Sequence, residues 1–199
     1  MKQQLQNSLK FSLGIAVITF VLAAIFSVIS SYLLGDVYYL IGILIVFTIV
    51  FIGIFFDMLG IAATAADETP FHAMAAEKVN GSKEAIRIVR NADKFASFCN
   101  DVIGDIAGIV SGTGTTIVVI SITLKMGAPE GSTTQIVISV IFTSIVAAVT
   151  VGGKALGKFV AIHSSTKIIF IVGRAVALIE NKLNIKLLPQ EKKSSRNSR

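Results

Sequence analysis

Apolar residues along this chain gather into four long runs with few or no charges, separated by two short polar joints and one basic stretch. Phe11 to Leu34 carries no charged residue and is about as long as the roughly 20 residues a helix needs to cross a hydrocarbon core. From Leu40 the chain is apolar again through Gly60 and stays small and uncharged to Ala66. Asp57 alone interrupts this run, and Asp67-Glu68-Thr69-Pro70 ends it. Phe98 to Leu124 forms the third run, and Ser132 to about Gly153, rich in Val, Ile, Ser and Thr, forms the fourth. This pattern predicts four spanning helices. Gly35 to Tyr39 and Lys125 to Gly131 are the tight turns between them, and Tyr38 and Tyr39 stand where an interfacial aromatic belt is expected.

Two further segments have a different period. Between Phe71 and Lys94, Phe71, Met74, Ala75, Val79, Ile86 and Val89 recur at helical spacing, with Lys78, Lys83, Arg87, Arg90 and Lys94 on the other side. Asn80-Gly81-Ser82 divides the stretch into two short helices, with Ser82 as the expected cap. They are too short and too charged to span, so they are expected at the membrane surface. The segment 166–188 puts Lys167, Arg174 and Asn181 on one line of a helix and Ile168, Ile171, Val172, Ala175, Ile179 and Leu183 opposite, as an amphipathic surface helix would. The expected organisation is a leader at 1–10, a first span at 11–34, a membrane domain at 39–188 and a disordered basic tail at 189–199. The fold class is all-α: four transmembrane helices plus amphipathic juxtamembrane helices at 71–94 and a belt helix at 166–188.

Composition agrees with a membrane chain. Hydrophobic residues make up 53% of it and charged ones only 15%, less charge than a soluble surface of this size carries. The net charge of +6 comes largely from Lys78 to Lys94 and Lys182 to Arg199, not from a basic face interleaved with aromatics, so no nucleic-acid partner is expected. The positive-inside rule then places both termini and the basic loop in the cytoplasm, in the plasma (inner) membrane. Cys99 is the sole cysteine, which excludes an internal disulfide and a cysteine metal site. No Ser/His/Asp set and no phosphate-binding loop is present, so the chain is not read as an enzyme.

Candidate chemistry lies in the carboxylates. A charge at the centre of a span costs roughly 3 kcal/mol or more on insertion scales, so each needs a compensating partner. Glu68 after the second run and Asn100, Asp101 and Asp105 in the third are expected to converge near the inner surface, together with Asp67. Hard oxygen donors of this kind suit magnesium or calcium. Gly104, Gly108 and Gly112 fall four residues apart, a strip that admits close approach of another helix. Asp101 also suits the first turn of a helix, where the dipole favours an acid.

The order of these features resembles the transmembrane domain of the cyclin M and CorB/CorC family of magnesium transporters. The residues that carry the resemblance are Ala65-Ala66-Asp67-Glu68-Thr69, the basic stretch Lys78 to Lys94 with Lys94-Phe95 before the third run, and Gly153-Lys154-Ala155-Leu156-Gly157-Lys158 followed by Ala161 to Val172. The resemblance implies a homodimer with a cytoplasm-facing Mg2+ site between spans, in some members coupled to Na+. Carried over, Glu68 and Thr69 match the family's Glu-Thr and Lys158 its motif Lys. The family's Ser is Ala65 here, with Thr64 adjacent, its motif Glu is Lys154 and its motif Pro is Gly157. Its Asn falls on Asn100, Asp101 or Asp105, because the spacing from Phe95 differs. The metal set implied is Glu68, Asn100, Asp101, Asp105 and Thr64, with Lys154 as a charge-balancing group expected to pair with Asp105 or Glu68. The first span is additional to the family's pattern. No CBS pair is present, so nucleotide regulation within the chain is not expected and a separate cytoplasmic CBS-containing protein is the implied partner besides membrane lipids. The alternative is a non-transporting scaffold in which Lys154 balances the carboxylates.

Overall fold

The computed structural model describes residues 2–35 and 38–183; the expected tail at 189–199, the end of the belt helix and part of the first turn lie outside them. The described residues form helices α1 (Lys2–Gly35), α2 (Tyr39–Ala65), α3 (Thr69–Ala76), α4 (Ser82–Arg90), α5 (Ala92–Ser97), a π-helical segment (Phe98–Gly104), α6 (Asp105–Lys125), α7 (Thr133–His163) and α8 (Ser165–Leu183), with no strand among them. Four helical stretches are long and apolar enough to span: Ser12–Tyr32, Tyr39–Ala65, Ala92–Lys125 and Thr133–His163. Their outer faces leave large apolar side chains such as Leu13, Phe20, Leu44 and Val151 uncovered, which only a hydrocarbon surrounding stabilises. The chain is a multi-pass, all-α membrane protein.

Several boundaries differ from expectation. Helix α1 begins at Lys2, because Gln, Leu and Lys are good helix formers and no breaker divides them from the first span, whose apolar stretch runs from Ser12. The fourth span runs past Gly152 and Gly153 to His163 instead of stopping there. Gly153 is needed for packing: a Cβ on it would overlap Ile54 of α2. Ser132 does cap this helix, accepting from the backbone amide of Gln135 at 3.3 Å.

Helix α2 is the centre of the bundle. Gly53 lies against Ala107 and Gly60 against Asn100, so α2 runs antiparallel to α6, whereas Gly153 faces Ile54 and Gly157 faces Met58, so α2 and α7 run parallel. Val46, Val50, Val118 and Val146 close the middle of this three-helix contact. Val102, Ile106 and Val110 pack on Ile15, Leu22 and Ala23 of α1.

At one end of the bundle a second core forms from Ala62, Ala63, Phe71, Ala85, Ile88, Ala161 and Ile169. It holds α3, α4 and α8 onto α2. The side of α8 turned to the protein is Ile169, Gly173 and Ala177, while Ile171, Leu178 and Ile179 are exposed. Thus α8 has two apolar sides, one on α4 and one exposed, and Ile171 and Ile179 belong to the outer one. The Arg87 guanidinium fastens α4 to α8, donating from Nη2 to Glu180 Oε2 at 2.7 Å and from Nη1 to Glu180 Oε1 at 3.3 Å, with Glu84 Oε1 at 3.0 Å. Ser82 is not the expected cap. It is buried, its hydroxyl donates to the Val79 carbonyl at 2.6 Å, and Gly81 takes the cap position in a left-handed conformation, φ 91°.

Candidate functional site

The third span departs from regular α geometry at the residues singled out as ligands. Helix α5 runs directly into the π segment Phe98–Gly104, and α6 follows without a break. A π turn takes in one residue more than an α turn and re-aims the side chains after it. Asp101 is therefore inside a continuous helix, not at a helix start, and the dipole explanation for it fails. Its side chain is exposed. Asn100 turns inward onto Gly60, where a Cβ would overlap its Oδ1. That oxygen is buried and has no hydrogen-bond partner among the described residues.

Asp105, the first residue after the π segment, lines a cavity of about 380 Å³ in the layer of the spans. Val50, Gly53 and Ile54 of α2 form its back wall, Gly104 to Ser111 one side, and Thr150 and Lys154 of α7 the other. Lys154 Nζ lies 3.4 Å from Asp57 Oδ1. This corrects the expected pairing with Asp105 or Glu68. Because α2 and α7 run parallel through the contacts Gly153–Ile54 and Gly157–Met58, residue 154 arrives one turn along from Ile54, at Asp57. The same region of α6 is close: a Cβ on Gly104 would stand 3.8 Å from Asp57 Oδ1. Two hydroxyls on the cavity wall are already donating, Ser111 to the Gly108 carbonyl at 2.9 Å and Thr150 to the Val146 carbonyl at 2.7 Å. Their lone pairs are left to accept or to ligate.

Glu68 is elsewhere. Its Oε1 accepts from Arg90 Nε at 2.5 Å and contacts His72 Nε2 at 2.6 Å, so it ties α3 to α4 at the bundle end. Partial desolvation pushes this carboxyl up, but the Arg90 and His72 hydrogen bonds outweigh it and hold it below its ordinary 4.5. A depressed acid contributes stability that is present above 4.5 and lost as the pH falls through its lower, folded-state value. Glu68→Gln is therefore expected to remove an acid-limb loss of stability below pH 4.5 that helix melting of the wild type shows; identical acid limbs would place the dependence on another group. Asp67 caps the same turn, accepting from the Thr69 amide and hydroxyl, both at 3.0 Å, and these bonds lower its carboxyl as well. Thr64 donates to the Ile61 carbonyl at 2.9 Å and is exposed.

The expected convergence of Glu68, Asp101 and Asp105 is thus not what the helices build. No group of three or more His, Cys, Asp or Glu side chains close enough to hold a metal occurs among the described residues. Asp105 and Lys154 share the cavity, Asp57 joins them through Lys154, and Gly104 and Gly108 line it while Gly112 lies exposed on α6. Asp57 is the member that sequence reasoning missed. Its signal was visible, since a lone acid interrupting an otherwise uncharged span needs a partner. Cys99 is a buried free thiol, as a small filler would be.

The fold and this site define a multi-pass helical membrane protein with a mainly apolar cavity between three of its spans, on which Asp105 and Lys154 stand, the latter paired with Asp57. Comparison with family models, with curated proteins and with solved structures finds no match in any of the three.

Proposed function

We propose that this is a cation-binding protein of the plasma (inner) membrane, with both termini and the α3–α5 segment cytoplasmic, that binds and moves Mg2+ or a related divalent cation through the cavity between α2, α6 and α7. The observation that carries the reading is that Lys154, which lines the cavity together with Asp105, pairs with Asp57 of α2. Ionisable groups within spans face interior cavities and mark ion paths. Carboxylates of Asp57 and Asp105 with the hydroxyls of Ser111 and Thr150 are a hard oxygen set of the kind magnesium takes. In this reading the Lys154 ammonium is a tethered cation that must leave Asp57 before a metal ion enters. The resemblance to the CorC-type domain supports it, with the family's Asn falling on Asn100, Asp101 or Asp105. The homodimer belongs to the same proposal: the exposed α6 face with Gly108 and Gly112 leaves the side of the cavity for a second copy to cover.

A second reading keeps Lys154 as a permanent counter-ion in a non-transporting scaffold or an accessory subunit. It is favoured by Glu68 being engaged by Arg90 and His72. Thermal unfolding in detergent with and without MgCl2 separates the two, read beside Mg2+ flux in proteoliposomes. The transport reading expects a Mg2+-dependent stabilisation of the wild type that Asp105→Asn removes and Lys154→Gln increases, and flux that follows the same order. No shift and no flux in the wild type, with a shift appearing only in Lys154→Gln, would leave the scaffold.

A further inference from the structure

A second cavity, of about 620 Å³, lies on the other side of α2, between α1, α2 and the third span. Phe26, Ile45, Ile49, Phe56 and Phe98 are among its walls, and Ser30 is the sole hydroxyl-bearing residue among those lining it. Along α2 it extends from Ile45 to Phe56, about 16 Å at the α-helical rise, close to half of a hydrocarbon core about 30 Å thick. Ile45 lies six residues into α2 and Phe56 just past its midpoint, so the groove begins in the half of the membrane next to Tyr38 and the end of α6 and reaches a little beyond the middle. Ser30 marks its shallow end. This side chain is 6% exposed, and its Oγ has no hydrogen-bond partner among the described residues, although a serine in a helix ordinarily donates to a carbonyl one turn back.

The same end carries the Lys125 ammonium. Lys125 Nζ contacts the Tyr38 hydroxyl at 2.8 Å and stands over the Tyr38 and Tyr39 rings at 4.1 and 4.8 Å, and no carboxylate lies within 4.0 Å of it among the described residues. A buried unpaired hydroxyl at ester depth, a cation at headgroup depth and an apolar groove one leaflet long are three features in the order in which a phospholipid presents its chemistry. We infer that the groove holds one acyl chain of an anionic diacyl phospholipid from that leaflet, with Ser30 donating to its ester carbonyl and Lys125 facing its phosphate. The lipid would seal α1 to the α2/α6 pair.

The test is native mass spectrometry of detergent-purified protein equilibrated with dioleoyl phosphatidylglycerol. One lipid retained per chain is expected. Ile49→Trp, which fills the groove, abolishes retention, and Ser30→Ala lowers it about fivefold, the effect of one lost hydrogen bond. Retention by Ile49→Trp equal to the wild type, a lipid-free wild-type chain, or a lipid-free dimer would each overturn the assignment. The chain has no tryptophan, which supplies a check independent of whether Ile49→Trp folds. Phe26→Trp exchanges one aromatic wall for another, and its fluorescence is expected to remain quenched in detergent by co-purified lipid brominated at mid-chain. Unquenched emission from that variant would also refute the inference.

Discussion

Asp57→Ala, made while Lys154 stays in place, is expected to destabilise the protein by about 3 kcal/mol, the low end for breaking an ion pair away from water. The Asp57 side chain is 16% exposed and that of Lys154 34%, and both stand where the surrounding medium is hydrocarbon or cavity instead of bulk water. Removing the carboxylate leaves an ammonium whose desolvation is no longer offset. The reverse single change, Lys154→Met, strands the carboxylate and should cost a similar amount. In the double variant neither charge is left, and most of the loss should return, because an apolar pair of comparable volume is often as stable as a desolvated ion pair. Denaturant or thermal unfolding of the four proteins in one detergent gives the coupling energy directly. Additive single effects, with no recovery in the double variant, would mean that the two groups do not interact.

Gly173→Ala should have the next largest effect, a loss of about 2 kcal/mol with α8 detaching before the bundle melts. A Cβ at residue 173 would stand 2.5 Å from the Gly81 carbonyl oxygen, 2.9 Å from the Ala85 amide nitrogen and 3.1 Å from the Ala85 Cβ. Two of these three atoms are backbone, so no rotamer change relieves the contact and α4 must separate from α8. Gly81→Ala meets the same obstacle from the other side, with the Arg174 backbone 2.7 Å away, and adds the strain of a left-handed φ for a residue with a Cβ. Hydrogen exchange across 165–183 reads the effect: early exchange of α8 in either variant with unchanged protection of α2 and α6 is expected. Wild-type protection in both would show that the helices are not in close contact.

Both predictions rest on residues whose importance was only half legible. Asp57 stood out as the single acid in its run, and Lys154 as a basic residue in a stretch expected to lie beyond the fourth span. What joined them was the length of α7, which continues through Gly152 and Gly153 because the packing against Ile54 outweighs the low helix propensity of glycine. Asn100, Asp101 and Asp105 were expected to converge with Glu68 as members of one regular helix. The π segment intervenes, and Asp101 is exposed, Asn100 lies against Gly60, and Asp105, exposed as well, stands on the cavity wall.

By itself the sequence determined the span count, the short helices between the second and third spans and the presence of charges that need compensation. These follow from local quantities, the length of an apolar run against the thickness of a hydrocarbon core and the period of polar residues around a helix. Which charge compensates which was decided only in the tertiary structure. In a bundle of near-uniform apolar helices the partners of a side chain are set by axial register, and register here is fixed by small residues, Gly53 on Ala107, Gly60 on Asn100 and Gly153 on Ile54. A glycine in a sequence shows that some backbone approach is allowed. It does not show which helix makes it, and that one contact decided that Lys154 meets Asp57.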